Sequence, residues 1–219
     1  MKVISVNVGL PREFVWKGMT VQTAIFKEPV DGPVMISRLN LAGDKQADLA
    51  VHGGAPKAVY AYPAEHYEYW QKEVPGVPFS WGSFGENVTT EGLREDTLCI
   101  GDRLRVGSAA LTVTQPRMPC YKLDLRLGRN DMIKRFVSSA RSGFYFSVIE
   151  PGEVGVGSKI EILARDPNRV AVLDIVRLYL GETRDPQLLK RAMNACFLPA
   201  DWKAQLLMRF KADVSDTHS

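Results

Sequence analysis

Ala109-Ala110-Leu111-Thr112-Val113-Thr114 runs directly into Gln115-Pro116-Arg117-Met118-Pro119-Cys120-Tyr121-Lys122. The first six residues form a strand candidate. Prolines at 116 and 119 end it, because each removes a backbone donor and pushes the residue before it into extended geometry. The second half is therefore expected to be a loop that presents Cys120. Arg117 and Lys122 flank the thiol with positive charge, which favours the thiolate, the form that attacks electrophiles and binds soft metals. On residue type and flanks alone, an inert loop cysteine stands as the alternative.

Working outward, the first 165 residues repeat the same pattern of short strands bounded by Gly, Pro, Asn and Asp. The other candidates are Val3 to Val8, Thr20 to Lys27, Val34 to Leu39, Ala58 to Tyr62, Arg103 to Val106, Phe144 to Ile149 and Lys159 to Leu163. This predicts a mostly β fold, closed or sandwiched. Two helices interrupt it, Pro63 to Glu73 and Asn130 to Ala140, the second with Asn130 and Asp131 as capping candidates. After the breaker Asp166-Pro167-Asn168 the periodicity turns helical. Leu173, Val176 and Leu180 share one face. Asp185-Pro186 starts a second helix with the stripe Leu189, Ala192, Met193 and Cys196, which places Cys196 in the core. Pro199 starts a third, with Trp202, Leu206 and Phe210 on its apolar side. The expected organisation is a β domain over residues 1–165, a three-helix extension over 166–213 and a frayed tail over 214–219. The apolar stripes of so small an appendage are compatible with a homodimer that covers them.

Bulk properties narrow the function classes. The chain has 219 residues, 45% hydrophobic and 24% charged, with a net charge of +3, so one sizeable domain with an appendage is the natural size. Nucleic-acid binding is disfavoured because Lys and Arg are scattered, apart from a loose cluster between Arg117 and Arg135. Met1 to Val8 alternates apolar and polar residues as a strand does, and no apolar run reaches membrane-spanning length, so a cytoplasmic protein is expected. Three widely spaced cysteines, Cys99, Cys120 and Cys196, argue against a disulfide framework and cannot supply a four-thiolate cluster. Cys99 sits in an apolar run and reads as packed core. Any redox chemistry must bring its electrons from outside.

Other patches carry possible chemistry. Gly43-Asp44-Lys45-Gln46-Ala47-Asp48 and Val51-His52-Gly53-Gly54 crowd acids, a histidine and paired glycines into a dozen residues. Gly53 and Gly54 allow close backbone approach to an anion or a flat heterocycle, though they also simply make turns. His52 has no second histidine at zinc-site spacing. Lys57 follows the glycine turn, where it meets either solvent or a phosphate. Ser83-Phe84-Gly85-Glu86-Asn87 is a further glycine turn. Its Asn87 can both donate to and accept from a purine-like or pterin edge, or cap its own turn. Tyr60, Tyr62, Tyr67, Tyr69 and Trp70 read as core.

The ordered series Gly43 to Asp48, His52-Gly53-Gly54 with Lys57 to Tyr60, Phe84 to Asn87, Gly101-Asp102, Gln115 to Lys122 and Gly143-Phe144-Tyr145 resembles the MOSC domain family, named for the carboxy-terminal domain of molybdenum-cofactor sulfurases. With its appended helices the chain is similar to the bacterial YiiM-type branch. The resemblance implies a MOSC-type β-barrel with a three-helix extension, binding the molybdenum cofactor through Cys120 as metal ligand. It makes Arg117, Lys122 and Lys57 candidates to neutralise the cofactor's anionic groups. Asn87, Asp48, His52, Gly53, Gly54 and Glu86 become candidates for cofactor contact or orientation, and Asp48, Glu86 or His52 for proton supply. The implied activity is reduction of N-hydroxylated compounds, such as hydroxylaminopurine-type base analogues. Electrons would come from an external flavoprotein or iron–sulfur reductase. The competing reading of the same cysteine is a cofactor or sulfur carrier, with Cys120 as persulfide or ligand.

Overall fold

The computed structural model describes residues 1–47 and 53–216, with side chains to residue 211. Twelve strands are formed among these: β1 (Lys2–Val8), β2 (Arg12–Trp16), β3 (Met19–Thr23), β4 (Glu28–Pro29), β5 (Val34–Ile36), β6 (Val59–Pro63), β7 (Val88–Glu91), β8 (Arg103–Val106), β9 (Ala109–Pro116), β10 (Phe144–Glu150), β11 (Gly152–Val154) and β12 (Ile160–Ala164). Eight build one mixed sheet in the order β12-β8-β9-β10-β6-β7-β1-β4. Every pairing in it is antiparallel except β6 with β7. A parallel pair needs a crossover connection, and here the crossover carries helix α1 (Glu65–Glu73). That crossover returns through the turn at residues 82–87, which brings Asn87 to the start of β7.

The sheet is open, which corrects the expected barrel. β1 pairs with β7 along one side, while its other side is divided between two neighbours. Asn7 and Val8 pair with β4. Lys2 makes a single bridge to Lys159, just before β12, supported by Val3 N–H donating to Ser158 O at 2.9 Å and Ile160 N–H to Met1 O at 3.0 Å. With its edge shared in this way, β1 has no ladder to β12, and the circuit ends in one bridge.

Strand β9 is buried along all eight residues, as expected for a strand covered on both faces. Pro116 closes it, and residues 117–120 form the expected loop. That loop is shorter than predicted, because helix α2 (Tyr121–Leu127) begins at Tyr121 and takes Lys122 with it. Helix α3 (Met132–Ser139) follows. Asp131 occupies its N-cap position without capping through its side chain, because its carboxylate is taken by Arg129 at 2.8 Å and Arg135 at 2.7 Å.

The carboxy-terminal helices are α4 (Val172–Leu180), α5 (Pro186–Asn194) and α6 (Ala200–Asp216). Their buried side chains Val172, Ile175, Leu178, Leu188, Ala192, Trp202 and Leu206 belong to the same apolar cluster as the sheet residues Val6, Leu104, Leu111 and Phe146. Asp185 starts α5 as expected, accepting from Gln187 N–H at 2.8 Å with Pro186 in the first turn. Two details differ from expectation. The buried face of α4 runs through Val172, Ile175, Val176 and Leu178, leaving Leu173 and Leu180 half-buried. Cys196 is exposed, because α5 ends at Asn194 and Ala195 turns the chain into extended geometry. Helix α6 also passes the expected end at 213 and reaches Asp216. Cys99 is buried, as read from its apolar run.

Candidate functional site

The loop after β9 and the first turn of α2 bring Arg117, Cys120 and Lys122 to one open cleft. Cys120 is half-buried at the N-cap of α2, in extended geometry. Arg117 is buried. Its guanidinium lies over the rings of Tyr60 and Phe136, 5.2 and 5.3 Å from their centroids, a stacking that fixes its plane. Its Nη1 has no hydrogen-bond partner. A buried donor left unpaired costs about 1–3 kcal/mol, so this group is disposed to donate to an oxygen of a ligand. Lys122, in the first turn of α2, is also buried and lines the cleft. On the neighbouring strand β10, the register shifts between Tyr145 and Phe146. Such irregularities re-aim side chains, and Tyr145 becomes part of the cleft wall.

The floor is a junction that local sequence reading does not reveal. Asp44 is 4% exposed and Lys27 7% exposed, and they form an ion pair. The same carboxylate accepts from Gly9 N–H at 2.8 Å and from Asn87 Nδ2 at 2.9 Å. Asn87 in turn accepts from Tyr60 N–H through Oδ1 at 3.1 Å. Burial pushes the Lys27 ammonium below its ordinary range, against the opposing pull of Asp44. Close backbone contact keeps the junction tight. A Cβ on Gly82, whose φ is +87°, would fall 2.7 Å from the carbonyl oxygen of Lys27, so both the conformation and the space require glycine there. The carboxamide of Asn87 is thus tied into the protein, where the sequence also allowed it to face a ligand edge.

The remaining expected residues separate clearly. Lys57 lines the cleft from the short 3-10 helix Ala55–Lys57. Gly53 and Gly54 are absent from the lining, although Gly54 has a φ of +93° and serves as the turn before that helix. Asp48 and His52 lie outside the described residues. Glu86, expected to contact the cofactor or supply protons, is not among the residues that line the cleft. It is fully buried and accepts from Tyr67 OH, Gly82 N–H at 2.9 Å, Phe84 N–H at 3.1 Å and Thr89 OH at 2.9 Å. Burial raises its pKa despite these donors. Its neighbours Gly85 and Asn87 face the cleft and Glu86 does not; it holds the turn together from behind.

The cleft is electrostatically one-sided. Among its described lining residues, Lys27, Lys45, Lys57, Arg117 and Lys122 are cationic and Asp44 alone is anionic. Low-dielectric walls strengthen such a field and draw in anions. Among the described residues no group of three or more His, Cys, Asp or Glu could hold a metal ion.

The chain belongs to the MOSC domain family, whose model matches residues 48–161. It is 38% identical over 207 residues to the Bacillus subtilis protein YflK, covering 94% of this chain and 93% of that one. Identity to the Escherichia coli protein YiiM is 36% over 189 residues, 85% and 84% of the two chains. In three dimensions it resembles the crystal structure of YiiM from Geobacillus stearothermophilus with a TM-score of 0.78 and 33% identity, over 95% of this chain and 98% of that one. It also matches, at 34% identity, a protein named Reductase from Gibberella moniliformis, covering 74% of this chain but 29% of that longer protein. No helix among the described residues is long and apolar enough to cross a membrane.

Proposed function

We propose that this chain binds the molybdenum cofactor in the cationic cleft and reduces N-hydroxylated compounds with electrons from an external flavoprotein or iron–sulfur reductase. The observation that carries the proposal is the juxtaposition, in one cleft, of a half-buried cysteine with a buried arginine whose Nη1 lacks a partner. These residues fit the group. Its phosphate and other anionic atoms call for a surplus of cations, and its metal, already held by sulfur, suits one further soft ligand. When bound, the cofactor supplies a two-electron redox centre.

The chain's own residues then have distinct tasks. Cys120 would contribute the metal-binding sulfur. Arg117, held flat between Tyr60 and Phe136, would donate to an anionic oxygen at a fixed place, while Lys57, Lys45 and Lys122 neutralise the remaining charge. The net reaction converts R–NH–OH, two electrons and two protons into R–NH2 and water. Glu86 is withdrawn as a proton source, since it is sealed behind its turn; Asp48 and His52 remain the candidates. The membership of a family that includes a reductase-named relative supports the oxidoreductase class.

The test is to produce the protein in a host competent for cofactor synthesis and measure molybdenum and pterin per chain for the parent and for Cys120→Ala. Near-stoichiometric molybdenum in the parent, lost in the variant, is expected, followed by turnover of hydroxylaminopurine with a generic electron donor. Metal without turnover would favour a cofactor carrier, and no metal in the folded parent would overturn the proposal.

A further inference from the structure

A carboxylate on the floor of an anion-binding cleft is a contradiction in charge, since Asp44 should repel what Arg117, Lys45, Lys57 and Lys122 attract. Its hydrogen bonds show what it does instead. One oxygen accepts from Lys27 Nζ and from Gly9 N–H, the other from Asn87 Nδ2. Asn87 continues the chain to the backbone of Tyr60, and Tyr60 carries one of the two rings that hold Arg117. Three donors converge on this one side chain, which suits the several lone pairs of a carboxylate, and one of the three is the Lys27 ammonium.

We propose that Lys27 is present in the cleft as the charge cancellation of Asp44, so that the pair leaves the selectivity for anionic ligands to Arg117, Lys45, Lys57 and Lys122. The inference rests on the cleft being an anion site, as in the proposed function. Lys27 is then not one of the ligand-binding cations. Its ammonium is spent on Asp44, so the pair is close to neutral, and the field felt by a ligand comes from Arg117, Lys45, Lys57 and Lys122. The other ionisable groups near the pair are Glu86, whose charge also reaches Lys27, with Tyr60, Tyr145 and Cys120 further along the wall.

The experiment uses full-length protein from a host lacking the cofactor, with inorganic pyrophosphate as the probe and calorimetry as the readout. Lys27→Met leaves the Asp44 charge uncancelled and is expected to weaken pyrophosphate binding by about tenfold or more. Lys27→Met combined with Asp44→Asn removes both charges and is expected to restore affinity to within about threefold of the parent, a rescue that damage to packing alone would not produce. A double variant as weak as the single one, or a single variant equal to the parent, would overturn the inference. Should Lys27→Met fail to fold by circular dichroism, Asp44→Asn and the double variant still decide, because both are expected to bind at least within about threefold of the parent, and a tenfold loss in both sinks the idea. A parent that binds no pyrophosphate overturns it together with the anion site. A parent that binds pyrophosphate normally but acquires no molybdenum overturns only the proposed function.

Discussion

Two apolar clusters lie among the described residues, and they are made of different material. One is mainly aliphatic, joining Val3, Ile36, Leu104, Val113 and Ile160 of the β structure to Ile175, Leu188 and Leu206 of the carboxy-terminal helices. The other, behind the cleft, gathers Tyr60, Tyr62, Tyr67, Trp70, Phe84 and Phe136 with Leu123 and Met132. The aliphatic cluster is held by area and shape. Aromatic rings also bring polar handles and charged faces into a dry interior. Trp70 Nε1 donates to Tyr62 OH at 2.6 Å and Tyr60 OH to Ser142 O at 2.9 Å. Tyr60 and Phe136 support Arg117, while Tyr67 closes on Glu86. One cluster builds the molecule, and the other also builds the site.

The comparison is broken most directly by equal insults to both clusters. Phe136→Ala and Ile175→Ala should each destabilise by several kcal/mol, about 3–5 for the ring and 2–5 for the aliphatic side chain. Only Phe136→Ala, by removing one face from Arg117, should also weaken pyrophosphate binding, by about tenfold, since a stacked guanidinium contributes on the order of 1–2 kcal/mol. Denaturant unfolding with calorimetry separates the two outcomes, and equal effects on binding would dissolve the distinction.

A smaller effect is expected from Glu86→Gln, about 2–3 kcal/mol, because the amide cannot accept all the donors that converge on the carboxylate. Its pH signature has a definite sign. With its folded pKa raised by burial, Glu86 favours the folded state most below the ordinary carboxylate range, and that contribution declines as pH rises through the folded value. Asp131 behaves oppositely. Hydrogen bonds from Arg129 and then Arg135 hold its pKa well below the ordinary range. Its contribution is therefore present above that range and is lost as pH falls towards the folded value. Asp131→Asn should give the least change, a slight drop in melting temperature at pH 7 that shrinks towards pH 3. Melting curves across that interval check both signs.

How much of this was legible in the sequence depended on whether the cause was local. Pro116 and Pro119 act on their immediate neighbours, so the loop carrying Cys120 was readable from a few residues. Asp185-Pro186 likewise marked the start of α5. The strand Val88–Glu91 was missed, since four residues with two threonines show little pattern and its parallel pairing with β6 arises only across the α1 crossover. Helix α2 was missed because Pro119 masked a start only two residues later. Cys196 was misplaced by extending a stripe beyond the point at which α5 ends. Lys27 read as the end of a strand. Its partner lies 17 positions away, and Asn87 a further 43, so only the folded sheet brings the junction together. The six ordered motifs identified the family correctly, yet could not tell that Glu86 faces inward while Asn87 and Lys57 reach the cleft.

The junction of Gly9, Lys27, Asp44, Asn87 and Tyr60 also bears on the order of events in the life of the chain. Its members come from the loop that carries Asp44 and from the β6-β7-β1-β4 half of the sheet, whose pairs β1 with β7 and β6 with β7 link residues far apart in sequence, and contacts of that range close slowly. Because no contiguous fragment contains the binding walls, an anionic ligand can be captured only after those strands have met. Loading of the cleft would thus be a late step, downstream of assembly, and a bound ligand would act as a latch on a finished fold.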